Sequence, residues 1–263
     1  MDVETSNLRQ IDQLNQRGGR ALSIIDLIED GTLTAEMAAL CWRAVAGGAP
    51  FVTGAVPGGA GKTTLMAALL AFLPAGEPIV TVGDRSAIDA ALAGRLQGPT
   101  TLLAHEIGAG RWFGYIWGRD AADFFRVAAA KLRPVTCLHA DTAEVVWQIL
   151  GPLGVAREGF EAVRLQLFME VVTRASRVQR RVRWLYLGVG GALRPVYQWR
   201  QDGDRFDLLV ERDEVRRALA DAAGTSPEEE DAAWRGCQAL LETLQREGVS
   251  PYGDVRRRVL SSS

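Results

Sequence analysis

The chain has 263 residues, of which 48% are hydrophobic and 24% are charged, values typical of soluble globular proteins with a sizeable core. This composition excludes a disordered, collagen-like or disulfide-stapled chain. With 30 Lys and Arg against 32 Asp and Glu, the formal net charge of -2 gives no bulk attraction to nucleic acid or anionic lipid, so nucleic acid is not an expected partner.

The cysteines and the chain start indicate a reducing compartment. Cys41, Cys137 and Cys237 lack metal-ligand spacing, and their odd number disfavours a disulfide framework. Acidic residues stand where a signal peptide carries positive charge, and the longest apolar run, 65–73, is too short to span a membrane. A cytoplasmic protein is therefore expected.

The first fifty residues divide into two predicted segments. Residues 1–20 are polar with few periodic apolar positions, which predicts a flexible or loosely docked arm that ends at Gly18-Gly19. Residues 21–50 predict a helical lead-in of two helices, with Thr34 as the cap of the second.

From residue 51 onward, short apolar runs alternate with helical segments, which predicts an α/β core over 51–210 with a largely parallel sheet. After Arg183 the apolar period changes to two, and this predicts a small antiparallel meander. Residues 211–263 predict C-terminal helices. The predicted strands before the meander are 51–53, 79–82, 100–104 and 134–138, and the predicted core helices are 61–72, 118–131, 142–150 and 160–175.

The strongest chemical signal lies between the first predicted strand and the helix after it. A polyphosphate site needs converging backbone N–H groups, a helix N-terminus, a lysine for the outer phosphates and a hydroxyl for Mg²⁺. Lys62 and Thr63 supply the last two, and Lys62 is one of only two lysines in the chain. We predict a nucleotide-binding P-loop (Walker A) formed by Gly58, Gly59, Ala60, Gly61, Lys62, Thr63 and Thr64.

One position departs from the G-x-x-x-x-G-K-[ST] pattern, because Val56 replaces the first glycine, and Gly54 is expected to permit the turn in a shifted register. The alternative is a glycine-rich loop that merely caps a helix. The Asn-Lys-x-Asp motif that reads guanine is excluded, since Asn7 and Asn15 are the only asparagines and both precede the loop. The expected ligands are ATP and Mg²⁺.

The order of the remaining motifs resembles the secretion ATPase superfamily, the motors of type II and type IV secretion and of type IV and Tad pili. Residues 79–84 are similar to its aspartate box, 102–107 to its Walker B strand, 136–141 to its histidine box and 240–255 to its closing helices. The resemblance implies a P-loop NTPase (RecA-like) core in a short, divergent member that lacks the family's separate N-terminal domain.

The resemblance also implies residue roles. Lys62 and Thr63 would hold the β- and γ-phosphates and Mg²⁺, and Asp84 would hold the water shell of the metal. Glu106 would orient or deprotonate the attacking water, and His139 would sense the γ-phosphate. For Glu106 there is an independent reason, since a carboxylate at the C-terminal end of a strand beside the P-loop faces the ligand crevice.

Several departures from the family bear on catalysis. Gly83 replaces a glutamate, Gly108 replaces an arginine, and the short stretch 84–106 lacks the Arg-rich segment that reaches across subunits in the family. Arg111 or Arg119 would have to serve instead. Because a trans arginine can contribute several orders of magnitude in rate, these departures affect hydrolysis more than binding.

These observations predict an ATP-hydrolysing motor subunit that forms a ring, expected to be hexameric, on the cytoplasmic face of the membrane and drives membrane-embedded secretion or pilus-like components. The alternative is a nucleotide-binding scaffold or regulatory subunit of a mixed ring that does not hydrolyse ATP. A third possibility is a monomeric small-molecule phosphotransferase.

Two segments keep two interpretations each. The basic run over 174–183, at the end of the predicted 160–175 helix, is either a solvated helix end or an interaction surface. The aromatic segment 111–117 either folds onto the core or forms an exposed docking surface. The two histidines, His105 and His139, both end predicted strands on one rim.

Overall fold

The computed structural model describes residues 2–15, 20–96, 98–130, 132–174 and 177–262. Within these ranges the strands are β1 (Phe51–Gly54), β2 (Ile79–Thr81), β3 (Thr101–Leu103), β4 (Glu106–Ile107), β5 (Tyr115–Ile116), β6 (Arg133–Leu138), β7 (Leu165–Arg174), β8 (Arg177–Val189), β9 (Ala192–Arg200) and β10 (Arg205–Leu208). They form one sheet in the order β10-β9-β8-β7-β1-β6-β3-β2, with β4 beside β6 and β5 beside β4.

The strand directions divide the sheet in two. From β2 to β7 the neighbouring strands are parallel, and from β7 to β10 they are antiparallel. The turn between β8 and β9 lies at Gly190-Gly191, as predicted, and both glycines have positive φ. The predicted α/β fold class, a largely parallel sheet with a small antiparallel meander, is confirmed.

Helices cover both faces of the sheet. They are α1 (Val3–Asp12), α2 (Ile24–Glu29), α3 (Ala35–Ala46), α4 (Lys62–Leu70), α5 (Arg85–Leu92), α6 (Arg119–Arg126), α7 (Ala143–Leu150), α8 (Arg157–Glu161), α9 (Arg212–Ala223), α10 (Pro227–Arg246) and α11 (Tyr252–Leu260). One hydrophobic cluster joins α2, α3, α4 and α9–α11, and the other joins α5–α8. None of the described helices is long and apolar enough to cross a bilayer.

The C-terminal helices pack on the predicted lead-in and on α4. Arg43 of α3 forms a bidentate pair with the buried Glu230 of α10 at 2.7 and 2.9 Å, and the Tyr252 hydroxyl donates to the Ala67 carbonyl at 2.9 Å. Because one hydrophobic cluster spans the lead-in, the core and these helices, the segment boundaries at residues 50 and 210 stay a prediction.

The N-terminal segment differs from the predicted loose arm. Residues 3–12 form α1, and the side-chain amides of Asn7 and Gln10, one turn apart, bind the open edge of β2. Their four hydrogen bonds to backbone groups, 2.5–2.8 Å long, reach the carbonyls of Glu77 and Ile79 and the amides of Ile79 and Thr81. The arm prediction is wrong here because these polar side chains replace a missing strand partner.

Further along, the predicted helix over 160–175 is wrong. After the short α8, the chain forms β7 between β1 and β8. Residues 165–168 are buried on both faces of the sheet, so they lack the alternation that identifies a strand. The basic run 174–183 therefore lies on the β7–β8 hairpin and not at a helix end. Gly18 and Gly19 of the predicted arm lie outside the described residues.

The edge pairing by α1 leads to a stability prediction. Asn7→Ala removes two hydrogen bonds and leaves a buried C=O and a buried N–H of the β2 edge unpaired. We expect the free energy of unfolding to fall by about 2–3 kcal/mol in urea denaturation. Leu8→Ala on the same helix is the control, since Leu8 is 36% exposed and its loss should change stability little. Equal effects of the two substitutions would contradict the edge-pairing role.

Candidate nucleotide-binding site

The loop between β1 and α4 has the backbone of an anion-binding cradle. Gly59 and Gly61 have φ of +78° and +100°, a region that side-chain-bearing residues rarely adopt. Gly61 is also the N-cap of α4 and makes no side-chain cap, so the first N–H groups of the helix stay open for an anion. The predicted residues 58–64 all line one cavity of about 500 Å³.

The start of the loop shows the roles of Gly54 and Val56, the two residues concerned in the departure from the motif. Gly54 is the last residue of β1, where an added Cβ would lie 2.5 Å from the Ala140 carbonyl oxygen and 2.6 Å from Phe168 Cδ1. Gly54 therefore permits close packing of neighbouring strands, and the predicted role in the turn is wrong. Val56 is exposed, and its carbonyl oxygen lies 2.9 Å from His139 Nδ1.

Three predicted side chains meet beside the cradle. Lys62 Nζ lies 3.2 Å from His139 Nε2 and 3.7 Å from Glu106 Oε2. The distance between His139 Nε2 and Glu106 Oε1 is 3.5 Å. The Lys62 side chain is 7% exposed, whereas that of His139 is half-exposed. The structure therefore brings together the lysine, the carboxylate and the histidine that the sequence singled out.

The strand order explains why residues so distant in sequence are neighbours. β6 lies between β1 and β3, and the carboxyl ends of these parallel strands meet at one edge of the sheet. Lys62 begins the helix after β1, His139 directly follows β6, and Glu106 begins β4 shortly after β3. Each side chain is thus placed by a strand end.

Hydrogen bonding determines the state of His139. A carbonyl oxygen can only accept, so Nδ1 carries the ring proton that it donates to Val56. Nε2 faces the ammonium of Lys62, which can only donate, so Nε2 accepts in this contact. A phosphate entering the cradle would therefore compete with an imidazole nitrogen and a carboxylate for the same ammonium.

The residues present fit a magnesium ion that arrives with phosphates. Thr63 Oγ1 lies 3.8 Å from Cys137 Sγ, and burial raises the pKa of Cys137 to about 12, which keeps the thiol protonated. Among the described residues no cluster of three or more His, Cys, Asp or Glu could hold a metal alone. Mg²⁺ would therefore need phosphate oxygens beside the Thr63 hydroxyl.

Asp84 lies away from this cluster. Its carboxylate caps α5 by accepting from the Ser86 amide at 2.8 Å, and the hydrogen bonds from Ser86 lower the pKa of Asp84. The preceding strand, β2, is the third neighbour of β1 across the sheet, and Asp84 does not line the cavity. Asp84 therefore caps α5, and its role in holding the water shell of the metal stays a prediction.

The second histidine also lies outside the cavity lining. His105 is 2% exposed and its ring packs edge to face on Phe113, with centroids 5.4 Å apart. Neither ring nitrogen has a hydrogen-bond partner among the described residues, and burial lowers the pKa of His105. The imidazole is accordingly neutral in the folded protein.

One wall of the cavity was missed by the sequence analysis. It comes from α1, from the residues that follow it and from α4, and its members are Ile11, Leu14, Asn15, Arg20, Ala21, Leu22 and Ala67. The spacing of Ile11 and Leu14 was the available signal, but two apolar positions in a polar stretch are a weak one. The apolar members of this wall, beside an anion-binding cradle, suit the face of a nucleobase.

The aromatic segment 111–117 is partly packed against the core and partly exposed. Tyr115 lines the cavity and Ile116 is buried in the core. Trp112, Phe113 and Trp117 are 72%, 58% and 45% exposed.

The strand order and the glycine cradle define a protein with the P-loop NTPase fold. No protein-family model matches the chain, and no curated protein matches it. Among solved structures, the chain is similar to the VirB11 ATPase from the Brucella suis type IV secretion system, with 17% identity, 72% of this chain covered and a TM-score of 0.43. It is also similar to the ATPase DotB of Yersinia pseudotuberculosis, with 11% identity, 90% of this chain covered and a TM-score of 0.43. For DotB of Legionella pneumophila the identity is 13%, the covered share of this chain 82% and the TM-score 0.35. The matches span 63%, 63% and 62% of those three chains.

The burial of His105 predicts a pH dependence of stability. The unfolded chain binds a proton at this imidazole below about pH 6.5, whereas the folded protein resists it, so stability falls as the pH drops from about 6.5 toward the lowered pKa. The slope is at most about 1.4 kcal/mol per pH unit. His105→Leu should flatten the curve of unfolding free energy between about pH 7 and pH 5. An unchanged slope in urea titrations would contradict this assignment.

Proposed function

We propose that this chain binds ATP with Mg²⁺ in the cradle and hydrolyses it, as a motor subunit that forms a ring on the cytoplasmic face of the membrane and drives membrane-embedded secretion or pilus-like components. The observation that carries the ATPase part is the buried Lys62 ammonium above the glycine cradle, 3.7 Å from the Glu106 carboxylate. The secretion part rests on the order of motifs in the sequence.

Binding would use the chain's own donors. The open N–H groups of 58–64 and the N-terminus of α4 would receive the phosphates, while Lys62 exchanges Glu106 and His139 for phosphate oxygens. Mg²⁺, when bound through Thr63 and the phosphates, supplies neutralisation of their charge. The apolar side chains at 11, 14, 21 and 22 would contact the base and ribose.

Hydrolysis would depend on the carboxylate that Lys62 releases. Glu106 would accept a hydrogen bond or the proton of a water molecule whose oxygen attacks the γ-phosphorus, while the bond to the β-phosphate oxygen breaks and ADP leaves. His139, held by the hydrogen bond from its Nδ1 to the Val56 carbonyl, presents Nε2 to the same space, where it would sense a γ-phosphate by donating a proton gained at Nε2 to a phosphate oxygen.

The alternative of a non-hydrolysing scaffold or regulatory subunit is supported by the positions of the arginines relative to the cavity. Neither Arg111 nor Arg119 lines the cavity. Arg20 does, but its guanidinium is paired with Asp26 at 2.8 Å. A cation from a neighbouring subunit would therefore be needed for fast turnover, which links hydrolysis to assembly.

The decisive substitution is Glu106→Gln. We expect ATP binding to persist and Mg²⁺-dependent turnover at high protein concentration to fall about 10²–10³-fold, because the amide cannot accept the proton of water. Lys62→Ala should instead weaken ATP binding itself, by roughly 10–100-fold in calorimetry. Equal turnover of the wild type and Glu106→Gln would remove Glu106 from catalysis.

Assembly is tested separately by light scattering with and without ATP and Mg²⁺. The motor proposal expects a ring-sized particle that forms or tightens with nucleotide. Tight ATP binding with turnover no faster than that of Lys62→Ala would favour the scaffold. A monomer under all conditions would contradict both ring proposals and leave the phosphotransferase.

A further inference from the structure

Arg180 of β8 contacts the phosphate-binding loop directly. Its Nη2 donates to the carbonyl oxygen of Gly59 at 3.4 Å. Its stem lies beside Gly61, where an added Cβ would be 3.4 Å from Arg180 Cδ and 3.2 Å from Met169 Cε. One side chain of the β7–β8 hairpin therefore contacts two of the glycines that shape the loop.

The neighbouring arginines are held by carboxylates. Arg181 forms a bidentate pair with Asp204 at 2.9 Å, and Arg183 pairs with Glu170 at 2.7 Å. Arg180 forms no ion pair with any carboxylate in the described part of the chain. Of these three, it alone directs its guanidinium to the loop, and the basic run is thus not a uniform solvated stripe.

The position of Arg180 relative to the cavity fixes which side of the loop it touches. Gly59, Ala60 and Gly61 line the cavity, whereas Arg180 does not. Because Arg180 belongs to β8 and does not line the cavity, the Gly59 carbonyl that it binds is directed toward β8.

We infer that Arg180 is a positioning residue that orients the Gly59–Ala60 peptide for polyphosphate binding. The described peptide bonds are trans, and in a trans peptide the C=O and the N–H point in opposite directions. A Gly59 carbonyl held toward β8 by Arg180 thus turns the N–H of Ala60 into the cradle. The inference rests on the proposed nucleotide site and adds a residue that does not itself touch the ligand.

The sequence of the loop explains why a hydrogen bond that fixes the Gly59–Ala60 peptide is useful. Gly58 and Gly59 come directly before Ala60, and Gly61 comes directly after it. The backbone around Ala60 therefore has few steric restraints. Without an external hydrogen bond, the peptide can rotate and present its carbonyl oxygen to the phosphates. The hydrogen bond from Arg180 disfavours that competing conformation before the ligand binds, and this lowers the entropic cost of binding.

The test compares Arg180→Met with Arg177→Met. Methionine keeps the apolar stem over Gly61 but removes the donor and the charge, and Arg177 is an exposed residue of the same strand whose replacement changes the net charge equally. Calorimetry with ATP and with ADP, each in about 0.1 M and about 0.5 M salt, separates a lost hydrogen-bond donor from a lost long-range field. Melting temperatures check that both variants fold.

We expect Arg180→Met to weaken binding of both nucleotides about tenfold at either salt concentration, with Arg177→Met near the wild type. If the wild type hydrolyses ATP, KM should rise while kcat stays nearly unchanged. Equal affinities of the two variants, or a deficit that disappears in high salt, would overturn the inference while leaving the nucleotide site intact. A wild type that binds neither nucleotide would overturn the proposed function itself.

Discussion

β6 separates the P-loop strand from the strand that leads to Glu106, and this spacing sets the dimensions of the site. Neighbouring strands lie about 4.8 Å apart, so strand ends on either side of β6 are separated by about 10 Å. That gap has the size of a phosphate group with a water molecule beside it. The Lys62 ammonium lies 3.7 Å from the Glu106 carboxylate, and His139, which follows β6, lies 3.2 Å from the first and 3.5 Å from the second.

The same spacing explains the balance of charge in the cavity. Lys62 and Glu106 neutralise one another while both are largely buried, and the half-exposed His139 accepts from the ammonium. An isolated buried ammonium would carry a large desolvation cost. The carboxylate for which we propose a role in hydrolysis thus also stabilises the buried lysine.

The sequence predicted the parts of this arrangement that are local. The cradle depends on consecutive glycines before Lys62, and that pattern survives without knowledge of the rest of the chain. Glu106 and His139 were found because each follows a short apolar strand, although the resemblance to a family was needed to give them roles.

What the sequence did not predict depends on tertiary partners. Residues 165–168 are covered on both faces of the sheet, so their apolar run carried no period that separates strand from helix. Asn7 and Gln10 read as solvated because their true partner, the β2 edge, is about seventy residues away. Asp84 follows β2 as the cap of α5, and because β2 is the third neighbour of β1 across the sheet, Asp84 does not line the cavity.

The docking of α1 joins two tasks in one short helix. One set of its side chains completes the hydrogen bonding of β2, and another, Ile11 with the nearby Leu14, closes the cavity. Peeling this helix away would expose an unpaired sheet edge and open the ligand chamber in the same movement. A mechanical force applied to the beginning of the chain would therefore act directly on the part of the cavity where we propose that the nucleobase binds.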